Sequence, residues 1–428
     1  MRRSFLRSKS TYDASAEVTY PESTALKTQH LPKPLSQSLR NLFSGYPSRS
    51  LKRDGLALRD DLVIRSARHP NVSTNTSGEQ VSRIRNERYA AVLFAATRMP
   101  SCYAATRRVF HEIACREPAF KPQTLLDFGS GVGTTVWAAH SLWGGSIKEF
   151  QCIDSSNQMN EVAASLLRSG KQDSDVHWED TSPHIGNVYF KQFMPMSDKV
   201  CYDIVVSAYT LEDIPTLKLQ TDIIRAMWKK ASKFLVIIES GTVAGFHNVL
   251  LARDTVLNTL TDRIPDWPRG HVFAPCTHDL ICPHRVTDTR KQCKFGQRAE
   301  LSLAELSTGL KALSYNLEKF SYIVLMKGER SAPVEGVNTH RIVEPERKRT
   351  RHVVCKICTQ DGNLKQTVIS KSKGKSVYKH ARSLKWGDLL VLPKHIPFTF
   401  VERFPTVTDA EEGEEEMATE ANMELHSK

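Results

Sequence analysis

Residues 121–143 read KPQTLLDFGSGVGTTVWAAHSLW, and the glycine spacing inside that stretch says more about the fold than any other part of the chain. Leu125 and Leu126 close a short apolar run that reads as a buried strand. Asp127 follows, and Gly129, Gly131 and Gly133 turn the chain into an apolar helix. Glycines at such a turn let the backbone approach a ligand closely, and the free N–H groups of the helix start are aimed at it. A lone G-x-G-x-x-G is a weak pattern, and here the spacing is G-x-G-x-G behind an acid. A glycine-rich turn that holds no cofactor is the competing reading.

The segments downstream extend the strand–turn–helix into a sheet. FQCID ends a second strand at Asp154, placed to accept hydrogen bonds from ribose hydroxyls. HWED reads as a third strand ending at Asp180, YDIVVSAYTLEDI as a fourth with its exit loop, and KFLVIIES as a fifth. Helical segments separate them, which predicts an α/β fold with a parallel, doubly wound sheet and ligands at the carboxyl ends of its strands. The arrangement resembles motif I of class I S-adenosylmethionine-dependent methyltransferases. That resemblance implies Asp127 beside the cofactor's methionine end and Asp180 at its adenine. Gly129, Gly131, Gly133, Asp154 and Ser207 complete the expected pocket. Chemistry is harder to find. Amino-group methyltransferases of nucleic acids carry an Asn/Asp/Ser-Pro-Pro-aromatic loop after the fourth strand, and this chain has Ser207-Ala208-Tyr209-Thr210 there. Cytosine-C5 enzymes need a nucleophilic thiolate in this region, and Cys201 lies at the wrong end of the strand. No catalytic residue is nominated.

The rest of the 428 residues sets the context. Residues 406–428 hold eight acids and one lysine, so a net charge of +12 conceals +19 on the remainder. That surplus points to a polyanionic partner such as RNA, against a merely solvated surface. No apolar run approaches the ~20 residues of a membrane span. The beginning, MRRSFLRSKSTYDAS, is Arg- and Ser-rich without an acid before Asp13, as in mitochondrial transit peptides, or else it is a basic arm. The expected organisation is a transit peptide and extended arm over 1–75, then a helical region over 76–120 in which Pro100 divides two helices. A Rossmann-like domain over 121–330, with a cysteine-rich insertion at 265–298, comes next. A basic β-rich domain over 331–405 and an acidic tail over 406–428 complete the chain. The arginines of the helical region are read as a solvated face or as phosphate contacts. Cys102, Cys115, Cys152 and Cys201 are read as buried structural thiols.

Cys276, Cys282 and Cys293 are spaced C-x5-C-x10-C in HVFAPCTHDLICPHRVTDTRKQC. No C-x2–4-C zinc knuckle occurs in that run. Wide spacing suits an iron–sulfur cluster held by four thiolates, with Cys355 or Cys358 supplying the fourth. Zinc assisted by His271, His278 or His284, and unligated thiols, are the other readings. The words RMPSCYAATRRVF, LLDFGSGVGT, ESGTVAGFHNVLLAR, HVFAPCTHDLICP, CKFGQR, SYIVLMKG, CTQDGNL and ARSLKWGD, over roughly residues 80–395, resemble the Rsm22-type methyltransferase-like family of the mitochondrial small ribosomal subunit. The resemblance implies an assembly factor of the mitochondrial matrix that binds small-subunit rRNA among ribosomal proteins. It also implies a [4Fe–4S] cluster and an S-adenosylmethionine pocket in an inactive enzyme. Cys276, Cys282 and Cys293 match the family's loop ligands, and its fourth lies in a C-x-x-Asp-Gly word that Cys358 fits better than Cys355.

The C-terminal region supports RNA independently, with twelve Lys/Arg against three acids in residues 341–382. ERKRTRH and KSKGKSVYKHAR would contact phosphates, and Tyr378 would stack on a base. Ligation by Cys358 would tie this domain to the sheet, so that loss of the cluster disorders the RNA-binding surface. Two functions follow: a monomeric, non-catalytic assembly factor, and an active mitochondrial rRNA methyltransferase. The missing loop motif favours the first.

Overall fold

The computed structural model describes residues 21–67, 87–169, 182–257, 267–287, 291–303 and 315–401, apart from positions 22, 26, 198, 333 and 397. The proposed transit peptide, the HWED segment with Asp180, and the acidic tail lie outside the described residues. Two helices, α1 (Lys33–Ser44) and α2 (Ser48–Ala67), occupy the region whose polar composition reads as an extended arm. Pro34 sits in the first turn of α1, where a missing N–H costs nothing. Leu35, Leu39 and Leu42 fall on one face and are buried, which is the physical reason this short pattern forms a helix despite its polar surroundings.

Two further helices, α3 (Glu87–Thr97) and α4 (Met99–Arg116), meet at Pro100, as expected. Two of their arginines turn inward to other parts of the chain. Arg98 forks onto Glu318 at 2.8 and 3.2 Å, and buried Arg108 donates to the carbonyls of Gly296 and Trp386 at 2.6 Å each. Three-residue spacing alone does not tell which face of a helix meets a second domain. Of the four thiols read as buried, Cys102 and Cys152 are, whereas Cys115 and Cys201 are exposed.

The large sheet begins with β1 (Thr124–Phe128), α5 (Thr134–Trp143), β2 (Glu149–Ile153), α6 (Asn157–Leu167) and β3 (Val188–Lys191). It continues with β4 (Tyr202–Ala208), α7 (Leu217–Lys230), β5 (Ala231–Ser240), α8 (Val243–Leu257) and β6 (Gly270–Ala274). A short helix α9 (Pro283–Thr287) and strands β7 (Phe295–Ala299) and β8 (Asn316–Lys327) complete it. The strand order is β3-β2-β1-β4-β5-β8-β6, with β7 also on β8. Strands β1 to β5 pair in parallel, and the apolar runs of β1, β2, β4 and β5 are buried on both faces, whereas the edge strand β3 leaves Tyr189 exposed. The all-parallel expectation fails beyond β5. Strand β8 inserts between β5 and β6 and runs antiparallel to both, because the helical crossover that enforces parallel pairing applies only as far as β6. The result is a mixed, doubly wound α/β sheet, Rossmann-like in its first five strands.

The chain then forms a smaller antiparallel sheet. Its elements are β9 (Val337–Ile342), β10 (Arg347–Lys348), β11 (His352–Cys358), β12 (Leu364–Ser370), α10 (Lys375–Ser383), β13 (Leu389–Pro393) and β14 (Phe400–Val401), in the order β13-β9-β11-β12-β14 with β10 on β11. Ile342, Val353, Cys355, Ile357, Ile369 and Leu390 form its core. Among the described residues no helix is long and apolar enough to cross a membrane.

Candidate functional site

Strand β1 delivers Asp127 to the start of the glycine turn. Gly129, Gly131 and Gly133 have φ of +74°, +50° and +79°, conformations that side chains strain. A Cβ on Gly129 would lie 2.1 Å from Thr210 Oγ1, so Thr210 already fills that flank, whereas a Cβ on Gly131 would meet nothing within 4 Å. The open space therefore lies over Gly131. Asp127 is fully buried, with the Thr135 hydroxyl nearby but no donor in good hydrogen-bond geometry on either carboxylate oxygen; Ser207 Oγ is buried and unpartnered as well. Burial pushes the Asp127 carboxyl up to about 7, with Asp154 adding to the rise and Thr135 opposing it. Orphaned buried polar atoms are rare in native proteins, and here they gather where the cofactor's charged end was expected. They suit a ligand that brings a cation and a hydrogen-bonding group.

Asp154 sits just past β2, as read from sequence, but both its oxygens are occupied. Gly131 N donates to Oδ2 at 2.8 Å and Ser156 N to Oδ1 at 2.9 Å, so the acid braces the glycine turn against the start of α6. A ribose would have to share it or displace an amide.

Two residues that the sequence reading missed shape the neighbouring loop. Glu239, buried at the end of β5, accepts from Thr210 N (3.2 Å) and Leu211 N (2.9 Å). Burial raises its carboxyl to about 8, the two amides opposing. Tyr209 takes a left-handed φ of +58°, and its hydroxyl donates to Glu318 at 3.1 Å, while the Arg98 guanidinium lies 5.4 Å from its ring centroid. The loop where an acceptor-binding motif would be sought thus turns its aromatic side chain inward. An acid at the end of a strand, or a tyrosine just past one, carries no sequence signal for such a role.

The second site is a seam between the two sheets. A cavity of about 30 Å3 is lined by Cys276, which follows β6, by Cys282 and Cys293, and by Cys358 at the end of β11, with Arg253 and Arg341 beside them. Cys355 is not among the lining residues. Three positions apart on a strand means opposite faces, so Cys355 enters the small sheet's own core while Cys358 faces the large domain. Burial first, then the neighbouring sulfurs, drives the thiols up: Cys282 to about 12, and Cys293 and Cys358 well above their usual range. Of the three histidines, His278 Nε2 lies 3.3 Å from Cys358 Sγ and His284 borders the cavity, but His271 Nδ1 turns away to the Gly328 carbonyl at 3.0 Å. Among the described residues no three His, Cys, Asp or Glu side chains close on a point that could hold a single metal ion. The sulfurs surround a space instead. Four sulfur donors in an apolar lining with two guanidiniums are the donor chemistry of a thiolate-held metal centre, whether an iron–sulfur cluster or a zinc ion.

The seam does not rest on thiols alone. Arg341, 2% exposed, donates to Glu112 Oε1 and to the Pro275 carbonyl (2.6 Å each) and to the Gly387 carbonyl (2.7 Å). Burial opposes ionisation of Glu112, yet Arg341, Arg116 and the Tyr322 hydroxyl at 2.7 Å hold its carboxyl below the usual range.

On the outer side of the small sheet, Arg347, Arg349, Arg351, Lys371, Lys375, Lys379 and Arg382 are exposed. The β10–β11 turn packs on α10, since Lys348 Nζ donates to the Leu384 carbonyl (2.8 Å) and Arg382 to that of Arg349 (2.9 Å), which gathers these cations on one face. Lys356 and Lys365 instead pair with Glu344 and Asp361. Tyr378 is half-buried, and its hydroxyl reaches the Thr350 carbonyl at 3.3 Å, so its ring is tied into the face and does not project from it.

The chain can now be set beside known proteins. It is 40% identical to the human protein "Ribosome assembly protein METTL17, mitochondrial" over 302 residues, which are 70% of this chain and 62% of the human one. It is 26% identical over 334 residues to "Rsm22-cox11 tandem protein 2, mitochondrial" of Schizosaccharomyces pombe, covering 70% of this chain and 43% of that one. It therefore spans less than two thirds of either relative. Among solved structures, magnesium protoporphyrin IX methyltransferase of Synechocystis with bound SAM aligns with 63% of this chain and 97% of its own at 10% identity, with a TM-score of 0.31. The family model "Mitochondrial small ribosomal subunit Rsm22" matches residues 88–391, which run from α3 through the glycine turn and the thiol seam to β13, and the chain belongs to that family.

Proposed function

We propose that this protein is an assembly factor of the mitochondrial small ribosomal subunit that binds rRNA through its small sheet and does not transfer methyl groups. The observation that carries the reading is the extent of the family match, which includes both sheets and the seam between them. The role that the human relative's name gives it, ribosome assembly in mitochondria, supports the reading. The cationic face formed by β10, β11 and α10 supplies the surface that phosphates would meet. Action in the mitochondrial matrix, with rRNA and ribosomal proteins as partners, follows from the same reading.

Cys276, Cys282, Cys293 and Cys358 would hold a [4Fe–4S] cluster at the seam. Bound there, the cluster would supply four metal–thiolate links between loops of the large sheet and β11. Arg253 and Arg341 would offset its negative charge. Asp127 would receive the ammonium of S-adenosylmethionine, and the backbone at Gly131 would lie against it. That cofactor would supply an electrophilic methyl group, while Tyr209 is engaged with Glu318 and Arg98. Cofactor binding then serves shape or stability.

A rescue experiment tests this. Cells lacking the protein would receive a Gly131→Val variant, which fills the open space and strains a φ of +50°. Mature small subunits should still accumulate. Failed rescue together with one unmethylated rRNA nucleotide would replace this reading with that of an active rRNA methyltransferase.

A further inference from the structure

We infer that residues 23–25 and 27–31 form a strap that holds the small sheet against the edge of the large one, so that the N-terminal end of the chain stabilises their docking. At one end of the strap, buried Asp388 on the turn before β13 accepts from Ser23 Oγ, from Thr24 N (2.9 Å) and Oγ1 (3.1 Å), and from Ala25 N (3.2 Å). At the other end, Gln29 forms a parallel bridge to Ala299 of β7. Gln29 N donates to the Arg298 carbonyl and Glu300 N to the Gln29 carbonyl, at 2.9 Å each. Between them, Gln297 Nε2 donates to the Lys27 carbonyl (2.9 Å), and Arg107 of α4 donates to Gln29 Oε1 (2.6 Å). Leu31 then enters the core ahead of α1.

One segment thus bonds a carboxylate of the small sheet and an otherwise open strand edge of the large sheet. Charge-assisted bonds to Asp388 are the strong kind, and they depend on that carboxylate meeting only donors. A second negative charge at Ser23 or Thr24, such as a phosphate, could not share the site. Where a targeting segment is removed, a cut ahead of Ser23 would leave the strap whole and one beyond Gln29 would abolish it. The inference does not depend on a cluster, a cofactor or RNA.

Hydrogen exchange on the full chain tests it, with two variants. Gln29→Pro removes the N–H bonded to Arg298. Thr24→Glu sets a carboxylate against Asp388 without touching β7. In both, the Glu300 amide should exchange ~10-fold faster or more, and proteolysis of the 328–336 linker should accelerate. The response of Glu300 to Thr24→Glu is decisive, because those residues belong to opposite ends of the strap. Unchanged exchange at Glu300 and an unchanged cleavage rate in both variants would overturn the inference. So would a Glu300 response to Gln29→Pro alone, since the two anchors would then act independently.

Discussion

Replacing Arg347, Arg349 and Arg351 together with glutamine should change how the protein's RNA affinity depends on salt, by an amount that the geometry fixes. Seven exposed cations, Arg347, Arg349, Arg351, Lys371, Lys375, Lys379 and Arg382, share the face built by β10, β11 and α10. Each phosphate neutralised on single-stranded RNA contributes ~0.7 to the slope of log affinity against log salt. If all reach phosphates, the slope is about −5, and affinity falls ~10³-fold between ~50 and ~200 mM salt. The triple variant leaves four contacts, a slope of about −3 and a loss of only ~50-fold over the same range. Fluorescence anisotropy with a small-subunit rRNA fragment, at four or five salt concentrations, separates these values. Lys356→Gln and Lys365→Gln serve as internal controls, because both lysines are paired with acids and should leave the slope nearly unchanged. The triple variant should melt with the parent, as exposed substitutions shift stability by ~0.5 kcal/mol or less. A parental slope in the triple variant would refute the assignment of this face to RNA.

Other consequences are open to measurement. Glu112→Ala leaves Arg341 buried without its carboxylate, and urea denaturation should record a loss of ~3–5 kcal/mol; less than ~1 would mean that the ion pair does not hold the seam. Asp127, raised to about 7 by burial, is disfavoured as an anion in the folded state, so it contributes stability below its unfolded value that is lost as pH rises through 7. Asp127→Asn should therefore raise the melting temperature of the ligand-free protein at pH 8 while abolishing S-adenosylmethionine binding. In the parent that binding should weaken as pH falls below 7, and calorimetry showing tighter binding at pH 6 would contradict the ammonium contact. Iron and sulfide analysis of anaerobically purified protein should give about four of each per chain. Serine at Cys276, Cys282, Cys293 or Cys358 should lose them, and Cys355→Ser should keep them. Loss on Cys355→Ser alone would reverse the assignment of the two β11 thiols. Because Arg341, Arg108 and the strap also join the sheets, Cys282→Ser should leave the small sheet docked, in contrast to the collapse expected from sequence.

Local chemistry was legible in the linear chain wherever neighbours in sequence are also neighbours in function. The glycine turn after Asp127, the apolar runs of β1, β2, β4 and β5, and the division of α3 from α4 at Pro100 depend on a few consecutive residues, and sequence alone determined them. The cysteine loop could be found by spacing and by family resemblance, which already favoured Cys358, but that Cys355 packs in the small sheet's own core while Cys358 faces the other loop cysteines was visible only in the fold. The direction of β8 was likewise hidden, because nothing in an apolar strand states which neighbours it will lie between. Arginines on α3 and α4 looked like a solvated face, since a helix periodicity shows one buried stripe and not a second domain covering the other side. Glu239, Tyr209 and Asp388 left no signal for the same reason. Each acquires its role from a partner 28 to 365 positions away. Whether a polar side chain is buried and paired, or exposed and free, is a property of the packed interface, and only the tertiary structure decided it.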